Sequence, residues 1–223
     1  MLQIKNLTLT HKKDLREILS DFSCVFNNGD KAVIIGEEGN GKSTLLKWLY
    51  DPLMVEEYCE AEGERLISGE VLGYLAQELP KEDQQKSVYE FFSEQESFWN
   101  QTPKELNQTA AKFHIAPDFF YREQQMSTLS GGEKVKAQLM RILFAEPTVL
   151  LLDEPSNDID IETLETLEEL ILSWDKIVIY ISHDETLIER TANKIIHIEQ
   201  IRRKTKSRFC IANTSYTEYL KNR

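Results

Sequence analysis

Residues 36–44 read GEEGNGKST, Gly36-Glu37-Glu38-Gly39-Asn40-Gly41-Lys42-Ser43-Thr44, and satisfy the spacing G-x-x-x-x-G-K-[ST] of a phosphate loop. The stretch follows the apolar run KAVIIG and precedes TLLKWLY, so it joins a strand to a helix, as the mechanism of such a loop requires. Its glycines let backbone N–H groups face phosphates, and the helix N-terminus adds positive potential. In that geometry Lys42 reaches the β and γ phosphates, Ser43 ligates magnesium and Thr44 lies near the α phosphate. Glu37 and Glu38 are poor neighbours for a phosphate, so both are expected to point outward or to be neutralised by lysines or a metal. Proline's missing donor and ring clash stop the helix at Asp51-Pro52.

Outward from the loop, TVLLLDEP is short and continuously apolar, as a parallel strand covered on both faces should be. It sets Asp153 and Glu154 at the strand's C-terminal end, where open parallel sheets bind ligands. Adjacent strand residues point opposite ways, so the two carboxylates take different tasks. Asp153 is the candidate for holding magnesium through water, and Glu154 for orienting and deprotonating an attacking water. Gln77, after the short strand LGYL, offers an amide to the metal or to that water. His183 ends the strand KIVIYIS, where its imidazole can donate to a γ phosphate.

A second glycine-rich helix start is LSGGE. Ser130 and Glu133 fit an S-x-x-E capping box, and Ser130, Gly131 and Gly132 offer a hydroxyl and bare N–H groups to an anion. A cap alone requires neither glycine. The helix that follows, to about Ala145, repeats Val135, Leu139, Ile142 and Leu143 at helical spacing.

The rest of the chain supplies strand, helix and insertion. MLQIKNLTL and CVFNNGDKAVIIG predict an antiparallel edge with an Asn/Gly turn. Residues from about 80 to 130 turn rich in Glu, Gln, Asn and aromatics, with helical stretches around SVYEFFSEQESFW and PKELNQTAAKFH, and read as a helical insertion. A helix bearing Leu164, Leu167 and Ile171 on one face precedes KIVIYIS. Strand and helix alternating in this way imply an α/β fold with a parallel sheet.

Of the 223 residues, 41% are hydrophobic and 29% charged, enough apolar content for a sizeable core. The balance of 26 Lys plus Arg against 38 Asp plus Glu, net −12, opposes wholesale adhesion to nucleic acid or anionic lipid. Cys24, Cys59 and Cys210 lie far apart without histidines beside them, which suggests neither a zinc site nor a disulfide framework. No apolar run approaches the ~20 residues that cross a bilayer, and the N-terminus has no signal core. A cytoplasmic location is expected.

In this order, GEEGNGKST, Gln77, LSGGEKVKAQLM, VLLLDEPSND and YISHDE resemble the nucleotide-binding domain of the ABC ATPase superfamily, over most of the chain. The resemblance implies a P-loop NTPase core of ABC type, an antiparallel β subdomain and a helical subdomain of about residues 80–130, all within one domain of residues 1–223. It also implies ATP and Mg2+ as cofactors, hydrolysis of ATP to ADP and phosphate, and an adenine-stacking aromatic. His11 is nearest by position, with Phe22 and Phe26 as alternatives.

The continuation DEPSNDID, the run to ISHDETLI and the tail YTEYL are similar to the ABC-F branch, cytosolic proteins acting on ribosomes, some of which protect them from antibiotics. That branch usually carries Thr-Asn-His-Leu-Asp where this chain has Ser156-Asn157-Asp158-Ile159-Asp160, and Asn where it has Glu38. ABC-F proteins hold two such domains, so the chain is expected to be the first half of a longer protein. By this resemblance two domains pair head to tail, in one chain or as a homodimer. Ser130, Gly131, Gly132 and Glu133 then meet the partner's ATP. An alternative with the same ATP chemistry is the ATP-hydrolysing subunit of a membrane transporter, gripping a membrane-spanning partner. The basic cluster Arg202, Arg203, Lys204, Lys206 and Arg208 reads as a solvated hairpin, with ribosomal RNA phosphates as the other reading.

Overall fold

Alternate residues of each central strand face opposite layers, and that alternation organises the molecule. The computed structural model describes residues 1–201 and 206–222, so Arg202, Arg203, Lys204 and the side chain of Lys206 lie outside the described residues. Along the chain come β1 (Leu2–His11), β2 (Glu17–Phe26), β3 (Lys31–Ile35), α1 (Lys42–Tyr50), β4 (Cys59–Leu66) and β5 (Leu72–Leu75). The insertion carries α2 (Lys81–Gln84), α3 (Val88–Ser93), α4 (Glu96–Trp99) and α5 (Pro103–Lys112). Then follow α6 (Gly131–Phe144), β6 (Val149–Asp153), α7 (Ile161–Ser173), β7 (Ile177–Ile181), α8 (Glu185–Thr191), β8 (Lys194–Ile201), β9 (Lys206–Ala212) and α9 (Tyr216–Lys221).

One sheet runs β5-β6-β7-β3-β8-β9, parallel except for β9, and a second runs β2-β1-β4, antiparallel. In β6, Leu150 and Leu152 face a core shared with α6, α7 and the insertion's phenylalanines. Val149 and Leu151 face the other core, with Leu45 and Leu49 of α1 and with Leu2 and Phe22 of the antiparallel sheet. Each fully buried side chain of this kind contributes roughly 1.5–3 kcal/mol, so both faces of the central sheet are strongly held. Among the described residues, no helix is long and apolar enough to cross a membrane.

The structure adjusts several expectations. The turn between β2 and β3 is no hairpin: β2 pairs with β1, and β3 enters the other sheet beside β7 and β8. On α6, Leu139 is buried as predicted, but Val135, Ile142 and Leu143 are only partly so. Ala137, Met140 and Phe144 complete the buried face, because the helix packs on the insertion as well as on the sheet. The stretch SVYEFFSEQESFW is two helices, α3 and α4, broken at Gln95, whose backbone is extended. Between them and the core, Phe92 packs edge-on against Phe120 at 5.0 Å.

Candidate functional site

The phosphate loop crosses from β3 to α1 through Gly41, which is left-handed at φ 82°. Glycine adopts this backbone without penalty, and a Cβ there would lie 1.9 Å from Ile18 Cγ2. No side chain caps α1, so its first-turn N–H groups await an acceptor. Lys42 is almost fully buried, and its Nζ donates to the carbonyls of Gly36 at 2.8 Å and Glu37 at 3.0 Å. Burial pushes its pKa down, against the opposing pull of Glu154, Glu38 and Asp153.

One turn of backbone places Ser43 over the end of β6, where its Oγ donates to Asp153 Oδ1 at 3.0 Å. Asp153 is 1% exposed; the Tyr74 hydroxyl reaches its other oxygen at 3.4 Å. Burial raises the Asp153 pKa, and the hydrogen bonds from Ser43 and Tyr74, with Lys47 and Lys42, oppose that rise.

Glu154 leaves the strand with a left-handed φ of 50°, its N–H held by the Ile181 carbonyl at 3.1 Å. This turn separates its direction from that of Asp153, and such strain in a non-glycine residue is characteristic of functional sites. Its Oε1 lies 3.1 Å from His183 Nε2, while its Oε2 is buried and accepts no hydrogen bond. Burial pushes the Glu154 pKa above the ordinary carboxylate range, with His183 and then Lys42 pulling it back.

These groups border one cavity of about 500 Å3. It gathers Glu38, Gly39, Gly41, Lys42, Ser43, Thr44, Gln77, Glu154 and His183, with Asp153 beneath Ser43. Glu38 therefore borders the cavity within electrostatic reach of Lys42. Gly36, Glu37 and Asn40 do not line the cavity. Asn40 is 1% exposed and turns inward, its Nδ2 donating to the Ile198 carbonyl at 3.2 Å, so its side chain is a brace behind the loop and not a ligand contact.

The structure also sorts the aromatic candidates. Phe22 and Phe26 are buried in the core and cannot meet a nucleotide, which corrects the expectation for both. His11 does line the cavity, and Tyr58 stands beside it with ring centroids 6.3 Å apart. The Tyr58 hydroxyl lies near the Thr44 side chain, which also lines the cavity. Arg16 lines the same wall, with a buried Nε that has no hydrogen-bond partner. Neither Tyr58 nor Arg16 carries a sequence signal. Tyr58 arrives because β4 pairs with β1, His11 opposite Cys59.

The second helix start lies apart from this cavity. Ser130 Oγ accepts from the Glu133 N–H at 3.2 Å and Glu133 Oε2 accepts from the Ser130 N–H at 3.0 Å, completing the capping box. Gly131 lines a neighbouring cleft of about 390 Å3 with Gln77, Lys134 and Asn157. The glycines have a reason within this chain: a Cβ on Gly131 would lie 2.1 Å from the Asp158 carbonyl oxygen, and one on Gly132 2.4 Å from Thr163 Oγ1. The loop after β6 packs directly on the start of α6.

A parallel sheet ending in a phosphate loop, an acidic strand end and a capped glycine pair defines an ATPase domain of ABC type. The chain belongs to the ABC transporter family, whose model matches residues 19–157, more than half of its length. It is 34% identical over 187 residues to the ATP-binding protein Uup of Escherichia coli (strain K12), a match covering 80% of this chain and 28% of that protein. It is 32% identical to Uup of Buchnera aphidicola subsp. Acyrthosiphon pisum (strain APS), covering 82% and 30%. The chain thus spans less than a third of the length of these curated relatives. Among solved structures, the dimeric post-hydrolysis ATP-binding cassette MJ0796 bound to ADP and Pi superposes with a TM-score of 0.69 at 21% identity, covering 91% of this chain and 97% of that one. That likeness shows the fold.

Proposed function

We propose that residues 1–223 act as one ATP-hydrolysing cassette of an ABC-F translation or ribosome-protection factor, working with a second nucleotide-binding domain. The observation that carries the hydrolytic reading is Glu154, which lines the cavity of Lys42 and Ser43 with its Oε1 3.1 Å from His183 Nε2 and its Oε2 buried without a hydrogen-bond partner. Lys42 and the open N-terminus of α1 bind the phosphates. Glu154 takes the proton of an attacking water, and His183 and Gln77 hold the γ phosphate and that water in line.

Ser43 and Asp153 offer hard oxygen donors at 3.0 Å from one another, which fits Mg2+. Among the described residues no group of three or more His, Cys, Asp or Glu could hold a metal by itself. Ser43, Gln77 and, through water, Asp153 would be the chain's share of the shell, with phosphate oxygens for the remainder. Bound Mg2+ supplies charge neutralisation at the β and γ phosphates.

Ser130 and the N–H groups of Gly131 and Gly132 serve the partner domain's ATP, and pairing encloses both nucleotides. The ABC-F reading over the transporter-subunit reading is supported by the Uup relatives and by the DEPSN and YTEYL stretches. Cosedimentation with ribosomes, and not with membrane vesicles, is the expected result. The chemistry is tested by Glu154→Gln: loss of a general base slows turnover about 100- to 10,000-fold, with ATP affinity retained. Turnover within twofold of wild type in a phosphate-release assay removes Glu154 from the role.

A further inference from the structure

We infer that Tyr74, outside every motif above, is a positioning residue for the magnesium site; this rests on the nucleotide reading and deepens it. The metal pair comes from two elements, Ser43 in the first turn of α1 and Asp153 at the end of β6, and something must fix one against the other. Tyr74, on β5, touches both. Its hydroxyl reaches Asp153 Oδ2 at 3.4 Å, leaving Oδ1 to Ser43 at 3.0 Å. Its ring stacks on Tyr50, the last residue of α1, with centroids 5.2 Å apart and planes at 24°.

The two contacts act on different atoms for one purpose. β5 and β6 are parallel neighbours with Tyr74 in register with Leu151, so the hydroxyl approaches the carboxylate from the adjacent strand, a direction free of the nucleotide cavity. With Oδ2 met by Tyr74 and Oδ1 by Ser43, rotation of the carboxylate is restrained from both sides and Oδ1 is kept directed at Ser43. The stack restrains α1 at its far end and thereby the angle at which Ser43 meets the pair.

The test is Mn2+ binding, as a paramagnetic substitute for Mg2+, to the ADP-loaded protein, followed by electron paramagnetic resonance. Tyr74→Phe keeps the stack and removes the hydroxyl. A long hydrogen bond to a carboxylate predicts a Mn2+ dissociation constant raised about three- to tenfold, with metal-free ADP affinity by calorimetry within twofold of wild type. Tyr50→Leu keeps apolar bulk and removes the stack; a smaller rise, about two- to threefold, is expected. Unchanged Mn2+ affinity in Tyr74→Phe, with or without a loss of urea stability, makes Tyr74 a packing residue and overturns the inference while the nucleotide reading stands. Wild-type protein that binds no ADP overturns both.

Discussion

α1 and α6 both begin at glycine-rich turns facing clefts, yet they finish their first turns in opposite ways. α1 starts at a left-handed Gly41 with no side-chain cap, whereas α6 starts at Ser130 with a complete capping box. An uncapped helix start beside a buried lysine is built for a ligand that supplies the acceptors. A capped start is stable by itself, and its serine still has a hydroxyl hydrogen to donate while accepting from Glu133. The start of α1 is thus left open to an acceptor from outside the helix, whereas the start of α6 is satisfied by its own residues.

Three substitutions break or sharpen this contrast, in falling order of expected effect. Lys42→Ala removes the charged donor from the open start, and ATP affinity measured by calorimetry should fall about 100-fold, ~2.7 kcal/mol. Unchanged affinity would contradict the phosphate-loop assignment. Gly131→Ala places a methyl against the Asp158 carbonyl, so urea unfolding should show a loss of about 1–3 kcal/mol with ATP affinity of the chain within twofold of wild type. Wild-type stability there would mean that the loop after β6 yields freely, and that the glycine serves only the partner's nucleotide. Ser130→Ala removes the cap alone and should cost about 1 kcal/mol in the same unfolding measurement, again without changing ATP affinity. A change in affinity would show that the two helix starts are not independent within one chain.

Much of the catalytic layer was legible because motifs report local geometry. The phosphate loop, the α1 stop at Asp51-Pro52 and the acidic end of β6 each follow from backbone rules over a few residues. What stayed hidden came from pairing between distant segments. Tyr58 and Tyr74 reach the site through the β1–β4 and β5–β6 registers, which no short window encodes, and Arg16 through the turn from β1 to β2. Phe22 and Phe26 had the right chemistry for stacking a base, but on β2 they face the core. The glycines of LSGGE were readable as an anion site; their contact with residues 158–163 was not, because it depends on the path of a loop more than twenty-five positions later.

Asn40 braces the phosphate loop against the carbonyl of Ile198, and the neighbouring residue on β8, His197, bonds the hydroxyl of Tyr219 in α9 through Nδ1 at 2.6 Å. The strand is thus a short lever with the nucleotide cradle at one contact and the C-terminal helix at the next. A displacement of α9 would therefore act on the one strand that also backs the phosphate loop.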